Sequence, residues 1–178
     1  MANKILLHSC CAVCSAYPLS VLENAVVYFY NPNIFPAEEY QRRLEAQRTL
    51  CAHFGCDLIE EEYEPAQFSA AVKGLENEPE KGARCDKCFE LRLEKTALKA
   101  KELNIKQFTS SLGISPHKDS EKIAEIGRKI AALHGLEYLD IDFKSGFSKT
   151  NKIAGDLGLY RQKYCGCIPP SPSGRGPG

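Results

Sequence analysis

Short apolar runs separated by longer segments with helical spacing leave this chain few folds to choose from. The runs Lys4–His8 (KILLH), Ala25–Tyr30 (AVVYFY), Asp57–Tyr63, Gln107–Leu112 and Tyr138–Phe143 read as five strands. Between and after them the spacing predicts helices over Ala12–Glu23, Pro36–Phe54, Pro65–Leu75, Cys85–Leu103, Lys118–His134 and Ser148–Leu157. Tyr40, Leu44, Gln47, Cys51 and Phe54 recur at steps of three and four, and Gly55 follows in the position that closes a helix. Phe89, Leu93, Ala97 and Ala100 form a similar stripe on the long fourth helix. Strands that alternate with helices build right-handed βαβ units, so the expected class is α/β: a doubly wound parallel five-stranded sheet covered on both faces. Two helices in succession after the third strand predict the order 3-2-1-4-5. In such a sheet ligands bind beyond the carboxyl ends of the strands, at the switch between strands one and four.

The length, 178 residues, suits one domain, expected over residues 1–168. Pro169 to Gly178 holds four Pro and three Gly and reads as a disordered tail. Lys plus Arg equals Asp plus Glu at 23 each, so bulk charge does not hold this chain on nucleic acid or membrane. No apolar run approaches about 18 residues, and no secretory leader is evident, so a cytoplasmic protein without membrane contact is expected.

The nine cysteines are the chemical anomaly. Seven fall in three close sets: Cys10-Cys11-x-x-Cys14, Cys85-x-x-Cys88 and Cys165-x-Cys167. An odd count without a leader argues against a disulfide framework and for metal or thiol redox chemistry. The first set follows strand one, where the fold puts its ligand. Cys85 and Cys88 open a helix, where free N–H groups and the dipole favour thiolate. Cys51 and Cys56 have the look of ordinary buried thiols. A structural zinc takes four ligands, and a 4Fe–4S cluster takes four thiolates and leaves three. Three thiolates with one carboxylate would make a second, mononuclear site. Asp142, read as the carboxyl end of the fifth strand, is the candidate carboxylate. Asp86 would point about 100° round its helix from Cys85.

Several stretches together resemble the cobalamin-independent epoxyqueuosine reductases. They are His8-Ser9-Cys10-Cys11-Ala12-Val13-Cys14, Tyr30-Asn31-Pro32-Asn33-Ile34, Glu39-Tyr40 with Arg43, Arg84-Cys85 through Arg92-Leu93, Phe108 to Lys118, and Tyr160-Arg161-Gln162 to Cys167. The resemblance implies a tRNA-modifying oxidoreductase that removes the epoxide oxygen of epoxyqueuosine in the anticodon loop. It implies a fold related to the ATP-pyrophosphatase (adenine nucleotide alpha hydrolase-like) type. The phosphate loop of that group is replaced here by Ser9 to Ser15, so no ATP is expected, and no cobalamin. The implied cofactors are a 4Fe–4S cluster and a mononuclear iron, fed by an external one-electron donor. Cys10, Cys11, Cys85 and Cys88 are the expected cofactor-binding residues. All seven close-set thiols and Asp142 are the expected metal ligands, their division between the two sites left open.

Removing an epoxide oxygen as water takes two electrons and two protons. His8, Tyr164 and Lys118 are the candidate proton donors beside Asp142. A neutral chain must hold RNA through a local face with bases stacked on aromatics. Arg43 and Arg161 are the cations singled out for that face, with Tyr30, Tyr40, Phe89 and Tyr164 as aromatics. Two other readings share the thiols. A thiol redox enzyme of the heterodisulfide-reductase kind expects two Cys-Cys-Gly motifs, and this chain has one Cys10-Cys11 followed by Ala12. A zinc module that binds RNA predicts a colourless protein.

Overall fold

A computed structural model describes residues 3–167; the expected tail at Pro169 to Gly178 lies outside the described residues. Five strands form one parallel sheet: β1 (Ile5–His8), β2 (Ala25–Phe29), β3 (Leu58–Glu60), β4 (Gln107–Ser110) and β5 (Glu137–Tyr138). Their order is β3-β2-β1-β4-β5, the order expected from the alternation. The central strand β1 sets Ile5 opposite Ala25 and Gln107, and His8 opposite Tyr28 and Ser110.

Side chains alternate across this sheet, so each strand serves two cores. Leu6, Val26, Tyr28 and Phe108 face α4 (Ala83–Glu102) and α5 (Ser120–His134), where Leu93, Ala97, Ile123 and Ile130 meet them. Leu7 and Val27 face the other way, onto α1 (Ala12–Val21), α2 (Ala37–Phe54) and α6 (Phe147–Asp156) through Leu19, Leu50 and Ala154. A short α3 (Pro65–Ala71) packs on α4 through Phe68, beside Cys88. Close approach needs glycine at two places. A Cβ at Gly127 would stand 2.5 Å from the Tyr138 ring, and one at Gly146 would stand 1.9 Å from the Tyr17 ring.

Edges differ from the sequence expectation. β5 stops at Tyr138, and the segment expected to continue it to Phe143 turns instead. Leu139 N still donates to Phe108 O at 2.9 Å, but Ile141 N then donates to Leu139 O and Phe143 N to Ile141 O. The two acids of this segment find partners off the ladder. Asp140 pairs with Arg128, and Asp142 Oδ1 accepts from the Lys144 N–H at 2.9 Å. An outer strand has no second neighbour to hold it straight, so these bonds prevail. α5 starts at Ser120 rather than Lys118, because the Asp119 side chain caps it by accepting from Lys122 N at 3.1 Å. No helix among the described residues is long and apolar enough to cross a membrane.

Candidate metal centre

The chain leaves β1 at His8 and enters α1 at Ala12, so Ser9, Cys10 and Cys11 sit at the carboxyl end of the central strand. Cys11 is the N-cap of α1, and its Sγ accepts from Cys14 N at 3.3 Å. One helical turn then brings Cys14 back over the cap, and the sulfurs of Cys10, Cys11 and Cys14 lie within 4.8 Å of one another. Neighbours fix them further. Ser111 Oγ donates to Cys10 Sγ at 3.4 Å, and Gln162 Nε2 donates to Cys11 Sγ at 2.9 Å. The Cys11 and Cys14 thiols donate to the Cys10 sulfur and hold its pKa well below the thiol range, and in consequence Cys11 is pushed up to about 11.

The other four close-set thiols form a second group. Cys85 and Cys88 lie in the first turns of α4, one turn apart. Cys165 and Cys167 lie beyond α6, with their sulfurs 3.1 Å apart. All four line one cavity of about 260 Å³. The Cys167 thiol donates to Cys165 and brings it down to about 6. The Cys-x-Cys turn is held from below by α2. Arg43, 2 % exposed, donates to Cys165 O at 3.0 Å, to Tyr164 O at 2.9 Å and through Nε to Glu39 at 2.8 Å. Gly166 makes the turn at φ +114°, and a Cβ there would meet Ile34 at 3.0 Å.

A second cavity, about 290 Å³, borders Cys10 and Cys14. Arg92, Lys118 and Cys165 line both cavities and so form the partition between the thiol groups. Two buried guanidiniums at the four-thiol cavity, Arg84 and Arg92, make no ion pair with a carboxylate among the described residues. Arg92 donates to Asn31 Oδ1 at 2.6 Å and to Cys88 Sγ at 3.7 Å; Arg84 donates to Glu76 O at 3.0 Å. The Nε of each is buried with no hydrogen-bond partner among the described residues. A buried cation needs a counter-charge, and the nearest sulfur, Cys88 Sγ, accepts from Arg92, while the carboxylates of Glu80, Asp86 and Asp119 line the same cavity. Four thiols beside two buried guanidiniums fit an anionic metal–thiolate centre.

The structure also sorts the remaining expectations. Cys10 and Cys11 do not share a cavity with Cys85 and Cys88, so the expected cofactor-binding foursome is spatially split; the cavity pairs Cys85 and Cys88 with Cys165 and Cys167 instead. Asp142 is exposed, caps the turn at Lys144 and lines neither cavity. Asp86 lines the four-thiol cavity and faces Lys122 at 3.8 Å. His8 is fully buried with both nitrogens engaged, Nε2 donating to Tyr30 O and Nδ1 accepting from Ser110, each at 3.0 Å. Burial and the Arg92 charge bring it down to about 3, so it is neutral, and its one N–H is engaged with Tyr30 O. Tyr164 donates its hydroxyl to Phe35 O, away from both cavities. Lys118 alone of the proton-donor candidates reaches them. Burial would lower its ammonium, but the thiols of Cys10 and Cys14 hold it above the ordinary lysine value. Of the RNA-facing candidates, Arg161 is exposed, whereas Arg43, Tyr30, Tyr40 and Phe89 are core. Sequence reasoning missed the two buried arginines as partners of sulfur. The signal was there for one: Arg92 follows Cys88 by four residues and Cys85 by seven, which puts all three on one helix face.

The family model described as epoxyqueuosine reductase QueH matches residues 5–170. This chain belongs to the epoxyqueuosine reductase QueH family. The QueH protein of Streptococcus pyogenes serotype M1 is 41 % identical over 176 residues, covering 93 % of this chain and 69 % of its own length. That of Staphylococcus epidermidis is 42 % identical over 178 residues, covering 93 % and 75 %. That of Dehalococcoides mccartyi is 40 % identical over 177 residues, covering 94 % and 92 %.

Proposed function

We propose that this chain reduces epoxyqueuosine in the anticodon loop of tRNA to queuosine, in the cytoplasm, using a 4Fe–4S cluster and a single iron. The observation that carries this reading is the grouping of the thiols: Cys10, Cys11 and Cys14 lie within 4.8 Å of one another, and Cys85, Cys88, Cys165 and Cys167 line one cavity, with Arg92 and Lys118 between the two groups. Cys10, Cys11 and Cys14 are close enough to hold one ion, since metal–sulfur bonds are about 2.3 Å. Cys85, Cys88, Cys165 and Cys167 are then the four thiolates of the cluster. A cluster held by those four thiols would supply electrons one at a time from an external donor, and an iron held by Cys10, Cys11 and Cys14 would supply a Lewis acid for the epoxide oxygen.

The residues present do the rest. Both C–O bonds of the epoxide break, a carbon–carbon double bond forms, and two electrons and two protons carry the oxygen away as water. Lys118 Nζ, at the partition, holds a proton beside the reacting oxygen. Arg84 and Arg92 balance the negative charge of the sulfurs. Ser111 and Gln162 keep the Cys10 and Cys11 sulfurs oriented. One metal-binding unit over residues 1–168 accounts for thiols drawn from both ends of the chain.

Protein purified without oxygen should be brown, with about five iron and four sulfide per chain. With dithionite it should convert epoxyqueuosine in isolated tRNA to queuosine. Colourless, zinc-loaded protein, or iron without labile sulfide, sinks the two-site reading.

A further inference from the structure

We infer that the cavity bordered by Cys10 and Cys14 seats the nucleoside of the RNA substrate, with Phe147 as its stacking platform and Arg161 as the cation beside it. This inference rests on the reading that the substrate is an epoxide-bearing nucleoside in RNA, and it adds where and on what the nucleoside binds. The two cavities differ in charge. The four-thiol cavity is lined by Glu80, Asp86 and Asp119 among its cations. The other is lined by Arg43, Arg92, Lys118 and Arg161, with no carboxylate. A nucleotide brings negative phosphate, and of the two cavities only the second has no carboxylate in its lining to repel it.

Shape and chemistry agree with charge. The lining includes apolar Val13, Ile114 and Phe147 and polar Ser115, Asn151 and Gln162. A flipped base needs both, a flat apolar surface for its face and hydrogen-bonding groups for its edge. Phe147 is 38 % exposed although it is a large apolar residue. It opens α6 at the cavity, with Lys144 and Lys149 exposed nearby in the chain. Exposed aromatics among lysines are the ordinary means of holding single-stranded nucleic acid. Arg161 is fixed before any ligand arrives, donating to both Oδ1 and O of Asn151 at 2.8 Å. A guanidinium already held in place loses little freedom on binding.

The test uses the full-length anaerobic protein and epoxyqueuosine-bearing tRNA. Phe147→Ala should raise KM at least about fivefold with kcat changed less than twofold, and Phe147→Tyr should restore it, as expected for a stacking contact. Lys129→Ala, an exposed cation on α5 that lines neither cavity, should leave KM within twofold. Arg161→Gln should weaken binding of any tRNA and lower the slope of log affinity against log salt by about 1, and it carries the test alone if Phe147→Ala does not fold. Filter binding reads affinity without turnover. If the wild type binds but does not reduce, the reaction proposed above fails while the seat is still decided. Wild-type KM and affinity in both Phe147→Ala and Arg161→Gln, or an equal loss in Lys129→Ala, overturns the inference.

Discussion

Arg43 shows how much one side chain can organise. Its guanidinium spends its donors on Glu39 and on the carbonyls of Tyr164 and Cys165, and it stacks at 5.3 Å on the Tyr164 ring. Glu39 in turn accepts from Tyr160 at 2.7 Å. Replacing Arg43 by Gln leaves the Glu39 carboxylate buried without its partner, a loss of about 3–5 kcal/mol. Urea unfolding should show that loss, and iron analysis should show the four-thiol group underloaded, because the Cys-x-Cys turn is no longer pinned. Asp142→Asn is the contrast. An exposed cap on a one-turn segment should cost no more than about 0.5 kcal/mol, with metal content unchanged. Iron lost in Asp142→Asn would return that carboxylate to the metal. Residue type alone does not separate these two cases. Arg43 looks like a surface cation until the return of residues 164–167 over α2 buries it.

At the scale of elements, one carboxylate just past β3 ties β2 to α4. Glu61 accepts from Tyr28 of β2 at 2.8 Å and pairs with Lys99 of α4 at 3.3 Å. Burial would raise its pKa, but the Tyr28 hydroxyl and the Lys99 ammonium outweigh that and hold it below the ordinary carboxylate value. A carboxyl lowered by folding stabilises above its unfolded pKa, near 4.3, and its contribution fades as pH falls toward the folded value. Wild-type protein should therefore lose more stability between pH 6 and about pH 3.5 than Glu61→Gln, measured by urea midpoints at each pH. Equal losses would show that this link does not titrate with folding. The elements themselves were legible where spacing ruled. The sheet order followed from alternation, and α2 ends at Gly55 as its spacing required. The edges were not legible. β3 and β5 are short because bonds to residues far off in sequence, or from acids to nearby N–H groups, outcompete the ladder.

The whole molecule divides its chemistry by where thiols enter space. Seven were visible as close sets in the sequence, but spacing could not say that the last set joins the second rather than the first. That pairing depends on α6 crossing α1 and returning the chain over α2. The division makes a split outcome the expectation for two variants. Cys14→Ala should lose about one iron and keep its sulfide, whereas Cys88→Ala should lose the sulfide. The same loss in both would mean one shared centre. The separation in sequence has a temporal side as well. A chain emerging from the ribosome N-terminus first can complete its sheet once Tyr138 is out. Cys165 and Cys167 follow only after α6, so the four-thiol group is completed after the three-thiol one. Iron and sulfide delivered before then would meet an unfinished binding group, and delivery must wait until Cys167 has emerged.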